Sequence, residues 1–495
     1  MTSWKGCQRQ YTLVQNAPGA QGHPKIRMSQ KMWIRLMLMA AMAVALKGRK
    51  IPGIVLRISQ KGLDHVSKQG AELLQEELLK ISLPIQMGLG DYEFIRMMIS
   101  KFMLQKSHIS VVSKGFVLSM TNSSIIINGK WTSQKSKNNH VPFDLKLDDV
   151  TIRTGFNLGK NNNNQISISV SSCIIHIGSV HIFTSTNQSL LREVYQNDIQ
   201  TTLHNNVFQK ICSVIRTSTT SYVEPYLHTM PVKVNLDGIA GIDYSLIQPP
   251  KSRGYHLDIP LKGQFFSLTH HTSFPFSPSA VSFRSSQLQM VYFGVSHSFF
   301  DSAIHVYKNA GIKSLQTNSS MVPKDSKYTL STDYYGILIP QLSKDFPSMA
   351  MTIDIDFPSS APTIFVDSRM KLSLMSSLST HVFVVFSNSS QTPLFTLKLK
   401  TTVTLYIAVK DGTILGRMTL ESLSMELKKS YIGHFQASLL QDPFTYYMSK
   451  VWLPIINGRL EQGYPLPVPA NLHFSDYIVY PHKHFLVFGT DFIYS

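Results

Sequence analysis

Charged side chains are scarce in this sequence. Asp, Glu, Lys and Arg make up 15% of its 495 residues, whereas soluble proteins usually have about a quarter. Acidic residues are the scarcest, with 29 against 47 basic ones, so the formal net charge is +18. The 43% of hydrophobic residues is enough for large cores and excludes wholesale disorder. We expect two to four domains, a β-rich surface of Ser, Thr and Asn, and anionic partners such as nucleic acid, acidic lipid or bacterial glycolipid.

Long hydrophobic runs are also lacking. The strongest run, Leu36–Leu46, has 11 residues, whereas a helix that spans a bilayer needs about 20. The run follows Lys31 and Arg35 and contains an A-x-A sequence at residues 43–45, which together are typical of a secretory signal peptide. The alternative is an ordinary core helix. We predict a secreted, extracellular protein without a transmembrane span, in which residues 1–45 are an upstream extension plus the signal peptide.

Removal of this leader changes the charge. The leader has six basic and no acidic residues, so the remaining chain carries +12, with +8 in residues 46–238 and +4 in residues 239–495. The basic residues are spread thinly and match no nucleic-acid-binding motif, and we therefore expect no nucleic-acid partner.

Cysteine is rare, with three residues in the chain. Cys7 lies in the predicted leader, which leaves Cys173 and Cys212. A secreted chain with two cysteines most simply forms one disulfide; the alternative is two buried free thiols. Secretion also fits four N-x-S/T sequons, which are candidate glycosylation sites: Asn122, Asn187, Asn318 and Asn388.

Catalytic motifs are missing from the sequence. It contains no H-E-x-x-H, no G-x-S-x-G and no P-loop. The histidines are scattered, and the adjacent pair His270-His271 would face opposite ways on a strand. We predict a protein that is not an enzyme and has no cofactor and no metal site.

The hydrophobic pattern predicts the same order of elements twice. Apolar positions near a 3.6 period predict a helix over residues 60–82 that stops at Pro84, and residues 92–183 alternate as strands with turns at 128–129 and 161–164. The second half repeats strands and helices. The remaining predictions are a long helix over 191–215, a β-hairpin turning at 411–412, and a late helix from about 439 to 453 that precedes Pro454. We divide the chain into 46–239, a proline-rich linker at 240–258, and 259–495.

Short segments dispersed along residues 51–495 carry a recognisable pattern. They are Val55–Asp64, Asn128–Trp131, Ser171–Cys173, Ala240–Tyr244, Met321–Lys327, Gly463–Pro467 and Phe485–Gly489. In this order they resemble the family of the bactericidal/permeability-increasing protein, the lipopolysaccharide-binding protein, and the cholesteryl ester and phospholipid transfer proteins.

The resemblance implies an α+β fold, an elongated two-domain boomerang. Two pseudo-symmetric barrels of twisted antiparallel sheet would pack on long helices and be joined by a central sheet. It also implies that Cys173 and Cys212 form the family's single disulfide. Each half would hold an apolar pocket for phospholipid acyl chains, and seven residues on the two predicted helices of the first half are candidates to line one: Leu63, Val66, Gly70, Leu73, Tyr195, Ile199 and Leu203. Because glycine is costly inside a helix, Gly70 predicts the close approach of a strand or a ligand tail.

The resemblance places the bases that bind lipopolysaccharide on loops at the tip of the N-terminal barrel. Lys130, Lys135 and Lys137 match one such loop, whereas the neighbouring segment 85–93 has two acids and no base. We therefore expect a protein that binds or transfers phospholipid or a related lipid, and contact with a membrane surface is compatible with this role. Innate-immune recognition of bacterial lipopolysaccharide is the alternative. A third hypothesis is an extracellular scaffold that binds another protein and carries lipid as structural filler.

Overall fold

The computed structural model describes most of the chain after the predicted leader. The described residues are 51–83, 86–87, 92–133, 136–184, 207–270, 274–275, 277–283, 288–356, 358, 360–366, 372–410 and 412–494. The predicted signal peptide, the segment 191–206 of the second predicted helix, and Tyr195, Ile199 and Leu203 lie outside these residues.

Helices occur in two groups, one in each half of the chain. The α-helices are α1 (Gln60–Leu79), α2 (Phe208–Ser218), α3 (Glu224–His228), α4 (His297–Asn309), α5 (Thr332–Leu338), α6 (Pro340–Asp345), α7 (Gln441–Tyr447) and α8 (Leu453–Leu460). Two π-helical turns, Thr219–Val223 and Met448–Trp452, and two 3₁₀ turns, Ser319–Met321 and Ala437–Leu440, complete them. No helix of the described ranges is long and apolar enough to cross a lipid bilayer.

Strands make up most of the regular structure. They are β1 (Ile54–Ile58), β2 (Ser82–Leu83), β3 (Gln86–Met87), β4 (Tyr92–Met103), β5 (Lys106–Val112), β6 (Gly115–Ser133), β7 (Ser136–Lys160), β8 (Ile166–His176), β9 (Ser179–Thr184), β10 (Lys233–Asn235), β11 (Ala240–Asp243), β12 (Lys251–Arg253), β13 (His256–Leu261), β14 (Gln264–Ser267), β15 (Val291–Ser296), β16 (Ser314–Thr317), β17 (Ala350–Asp356), β18 (Thr363–Val366), β19 (Leu372–Val385), β20 (Gln391–Lys410), β21 (Thr413–Ser430), β22 (Tyr464–Pro465), β23 (Leu472–Pro481) and β24 (Phe485–Tyr494).

Within the described residues these strands form four sheets. The N-terminal sheet has the order β2-β4-β6-β7-β8, and in addition β3 pairs with β4, β5 with β6 and β9 with β7. The C-terminal sheet has the order β16-β17-β19-β20-β21-β22, and β18 also pairs with β19. The central sheet, β12-β13-β1-β15-β24-β23, combines strands from the start, middle and end of the described chain, and a small sheet has the order β10-β11-β14. These pairings confirm the predicted α+β fold with a central sheet between two antiparallel units.

The central sheet joins distant parts of the chain through charge as well as backbone pairing. Arg57 on β1 forms a two-pronged ion pair with Asp258 on β13, with N–O distances of 2.6 and 2.7 Å, and its guanidinium lies 4.1 Å from the ring centroid of Phe283. Strands β11, β12 and the start of β13 lie inside the segment 240–258 that the sequence predicts as a linker. The domain boundary there stays a prediction.

The two halves share a local irregularity in their helices. In each, a π-helical turn precedes a proline at the second position of the next α-helix: Pro225 follows Thr219–Val223 and Pro454 follows Met448–Trp452. Proline has no N–H, and its ring clashes with the carbonyl four residues earlier, so a wider turn accommodates it. This repeat relates positions 229 residues apart, taking 225 from 454.

Two local predictions from the sequence are wrong. Asn128-Gly129 is not a turn but lies inside β6. A Cβ on Gly129 would come within 2.7 Å of the Phe143 ring. That glycine is needed for packing. The late helix does not end before Pro454. The π-helical turn Met448–Trp452 is followed directly by α8, which ends at Leu460.

Other local predictions are confirmed. The 161–164 turn joins β7 to β8 with Asn164 at φ 61°, and the predicted hairpin joins β20 to β21 with Gly412 at φ +69°. Helix α1 starts at Gln60 and ends at Leu79, a turn earlier than the 60–82 pattern.

Candidate functional site

Helix α1 is fixed at its start and along one face. Ser59 caps it by accepting a hydrogen bond from the Gly62 N–H, and the same hydroxyl donates to the Gln289 carbonyl at 2.7 Å. Leu63, Ala71 and Leu78 are buried on the face that packs towards the protein. Leu63, one of the predicted pocket residues, therefore belongs to this buried face.

The other three predicted pocket residues on α1 lie together beside that buried face. At 100° per residue, Val66, Gly70 and Leu73 share one side of the helix. Val66 is 40% exposed and Leu73 is 62% exposed, and a Cβ built on Gly70 meets no atom of the described residues within 4 Å. These three residues form an apolar strip, here called the α1 strip. The prediction that a strand approaches Gly70 is wrong for the strands that the structure describes, and a ligand tail there stays a prediction.

The open space at Gly70 gives a stability prediction. Gly70→Ala is expected to raise the free energy of unfolding by about 0.5–1 kcal/mol, because alanine favours the helix and its methyl group meets no neighbour among the described residues. Urea unfolding of lipid-free protein measures this. Gly62→Ala is the matched control on the same helix and should destabilise the protein, because its Cβ would lie 2.5 Å from the Met290 carbonyl. A loss of stability in Gly70→Ala would show that something approaches this position.

The interior of the N-terminal half is apolar. Side chains of α1, α2 and the inner face of the N-terminal sheet form one cluster, in which Leu78, Ile127, Leu147 and Ile211 have no exposed surface. The cluster lies between the helices and the sheet and is continuous with the flank of α1. From α1 the cluster takes Ala71, Leu74 and Leu78, and the α1 strip lies beside these residues on the more exposed flank of the same helix.

A disulfide ties this core together. Cys173 on β8 and Cys212 on α2 are bonded, with their Cα atoms 5.9 Å apart. The bond joins a strand to a helix, as the sequence and the resemblance predict. Cys212 is 7% exposed, so the link lies inside the hydrophobic cluster.

The C-terminal half has a hydrogen bond at the position that corresponds to Cys212 of the disulfide. Adding the repeat spacing to Cys212 gives Gln441, the first residue of α7, whose side-chain amide donates to the Leu423 carbonyl on β21 at 2.7 Å. Asn457 on α8 adds two more bonds to the same strand, accepting from the Met418 N–H and donating to its carbonyl. Each half thus fastens its helices to a strand, covalently in the first half and by side-chain amides in the second.

Aromatic side chains fill part of the C-terminal interior. Tyr335, Tyr447 and Trp452 are 0–1% exposed. The Tyr335 hydroxyl donates to that of Tyr447, which donates to the Tyr328 carbonyl, both at 3.2 Å. Burial raises the pKa of both buried tyrosines above the ordinary value, so they stay neutral donors at any physiological pH.

A second apolar strip lies on β21, on the face that turns towards this interior. Four of its side chains pack against the C-terminal core and remain partly exposed, and they are called the β21 strip: Met418, Leu420, Met425 and Leu427. Methionine side chains are flexible and adapt to irregular apolar partners. Both halves therefore carry an apolar strip that is not fully buried, and the β21 strip also packs against the C-terminal core.

The predicted lipopolysaccharide site is only partly described. Lys130 is not on a loop: it lies inside β6, paired with Pro142 of β7 and Ile95 of β4, and is partly buried. Strand β6 continues to Ser133, so the loop placement of Lys130 is wrong. Lys135 lies outside the described residues. Lys137 is the second residue of β7, and the structure does not describe its side chain.

Three of the four sequons are described, and each asparagine is exposed. Asn318 and Asn388 lie at turns, where each side-chain oxygen accepts a 2.6 Å bond from the hydroxyl two residues later. Asn122 lies inside β6 at φ 55° and donates to Gln105. Asn187 lies outside the described residues. Within the described part of the chain, no group of three His, Cys, Asp or Glu residues could hold a metal ion.

Comparison with known proteins places the chain in a family. The model of the N-terminal domain of the LBP / BPI / CETP family matches residues 62–229, and that of its C-terminal domain matches residues 234–494. The bactericidal permeability-increasing protein of Rattus norvegicus is 36% identical over 470 residues, covering 93% of this chain and 97% of that protein. The lipopolysaccharide-binding protein of Mus musculus is 32% identical over 453 residues, covering 90% and 94%.

Two further matches extend the comparison. The human phospholipid transfer protein is 23% identical over 452 residues, covering 89% of this chain and 90% of that protein. A crystal structure of lipopolysaccharide binding protein superposes with a TM-score of 0.73 at 30% identity, covering 90% of this chain and 99% of the other. The two domain models match in sequence along both halves, and the chain belongs to the LBP / BPI / CETP family.

Proposed function

We propose that this chain is a secreted protein that binds and transfers lipid, with phospholipid acyl chains held against the apolar strips of its two halves. The observation that carries the proposal is the α1 strip, where Leu73 is 62% exposed beside a closed hydrophobic core. Burying a leucine side chain is worth about 1.5–3 kcal/mol, and each buried methylene of a ligand adds about 0.8 kcal/mol. An acyl chain laid along the strip is therefore stabilised twice, because its own methylenes and the side chains of the strip are both removed from water.

The rest of the chemistry supports a carrier. The buried side chains of both interiors are mostly apolar, and the buried hydroxyls of Tyr335 and Tyr447 bond each other. Holding an acyl chain requires a dry apolar surface and no proton transfer or nucleophile. The name of the human phospholipid transfer protein supports this choice of ligand.

Recognition of lipopolysaccharide is the second candidate. The names of the rat and mouse relatives favour it, and this glycolipid also offers acyl chains. Its phosphates additionally need several bases in one place, and Lys130 is a partly buried strand residue.

Organic extraction of the protein secreted by eukaryotic cells, followed by mass spectrometry of the extract, tests the proposal. We expect phospholipid in amounts comparable with the protein. An extract without phospholipid would reject the proposal, and a protein that takes up added lipopolysaccharide but no phospholipid would favour the second candidate. A protein ligand that binds equally before and after lipid stripping would favour a scaffold.

A further inference from the structure

The outer side of the C-terminal sheet carries a group of lysines. Along β20, Leu397 and Leu399 are fully buried, so the alternating residues Lys398 and Lys400 point to the opposite side. Lys428 and Lys429 follow near the end of β21 and are exposed. These four residues are called the lysine face.

Neighbouring strands add hydroxyls to this face. Lys398 is paired with Ser379 on one side and Glu426 on the other, and Lys400 is paired with Ser377 and Ser424. All three serines are exposed. Ammonium and hydroxyl groups are both donors for phosphate oxygens, and the charged ones bind them most strongly. The face therefore presents a flat array of donors.

The positive charge of this face is not neutralised within it. Glu426 forms an ion pair with Lys428 at 2.8 Å, which leaves Lys398 and Lys400 without a carboxylate at ion-pair distance among the described residues. The hydrogen bond and charge of Lys428, with the charges of Lys398 and Lys400, lower the pKa of Glu426. One carboxylate thus lies among several ammonium groups.

Apolar side chains lie on the same side of the sheet. Met375 is paired with Thr402 and is 51% exposed, and Tyr406 on β20 is 53% exposed. Lysines that lie on the same side of a sheet as an exposed methionine and an exposed tyrosine match the boundary of a bilayer, where phosphates lie above acyl chains. The phosphates of a nucleic-acid backbone would satisfy the lysines but would leave Met375 uncovered.

We propose that the lysine face docks this protein onto the surface of an anionic phospholipid membrane. The proposal deepens the proposed function and rests on it in one respect, because the membrane would be the acceptor of the bound lipid. Docking by several lysines is electrostatic, so it weakens as salt rises and the Debye length shrinks.

Vesicle sedimentation tests the docking. The secreted full-length protein is mixed with phosphatidylcholine vesicles, with or without phosphatidylserine, at low and at physiological salt. Wild type should bind the phosphatidylserine vesicles preferentially. The variant Lys398→Gln/Lys400→Gln should bind them about 25-fold more weakly, at about fivefold for each lysine near the surface. The control Lys308→Gln/Lys324→Gln removes the same charge from exposed residues elsewhere and should bind like wild type.

Several results of these experiments would contradict docking. Equal binding to both kinds of vesicle by wild type, or unchanged binding by the lysine-face variant, would overturn the docking proposal. Lipopolysaccharide micelles or nucleic acid bound in place of phosphatidylserine vesicles would overturn it as well. Lipid extracted from the same variants separates the two proposals, because a variant that fails to dock should still hold its phospholipid.

Discussion

Replacing both disulfide cysteines, as Cys173→Ala/Cys212→Ala, is expected to lower the free energy of unfolding by about 4 kcal/mol. The bond closes a loop with a sequence separation of 39 residues, and loop closure of this size removes about that much entropy from the unfolded chain at 25 °C. The bond also fastens α2 to β8 inside the hydrophobic cluster, so hydrogen exchange should rise there first. Denaturant unfolding with and without a reductant measures the effect.

Two controls make this result interpretable. A reductant should destabilise wild type and leave the double variant unchanged. Gln441→Ala removes the hydrogen bond at the related position of the C-terminal half and should cost about 1 kcal/mol, the usual net value of such a bond. Equal stability of wild type and the double cysteine variant would contradict a covalent link in the folded protein.

Introducing charge on the α1 strip is expected to remove most of the bound lipid. Val66→Glu and Leu73→Glu place a carboxylate where an acyl chain would lie, and burying it there costs several kcal/mol, so the lipid content should fall by more than about tenfold. Both side chains are exposed, and glutamate is a good helix former. The folded state should therefore persist.

The matched control for these variants is Ile337→Glu on α5. Ile337 is 78% exposed and lies on neither strip. Mass spectrometry of extracted lipid, normalised to folded protein by circular dichroism, compares the three variants. Unchanged lipid content in Leu73→Glu would show that the acyl chains lie elsewhere, whereas equal loss in all three would point to a general effect of surface charge.

The parts of the fold that follow from local sequence were predictable. The 3.6-residue pattern places α1, and the alternation around Gly412 places the β20–β21 hairpin, because each depends on neighbours in the chain. Long-range packing explains the misses. Gly129 follows an asparagine as in a turn, yet its lack of a side chain makes room for Phe143 from another strand. Pro454 resembles a helix stop, yet a π-helical turn accommodates it.

The candidate site was predictable in type but not in detail. The apolar pattern of α1 identifies Leu63, Val66 and Leu73 together, and it cannot separate the buried Leu63 from the exposed Leu73 because the sheet decides which flank is covered. The β21 strip and the lysine face were missed. Both depend on strand register, which brings Lys398 beside Ser379 and Glu426 from distant parts of the sequence. The alternation of Leu and Lys over residues 397–400 was the available signal.

The central claim is that this protein carries phospholipid, and a native mass spectrum of the secreted wild-type protein tests it most directly. We predict a main species heavier than the processed polypeptide and its glycans by the mass of one or two phospholipids, which collisional activation releases as free lipid. A spectrum that shows only the polypeptide and its glycans, from protein that is folded and has its disulfide intact, would contradict the claim.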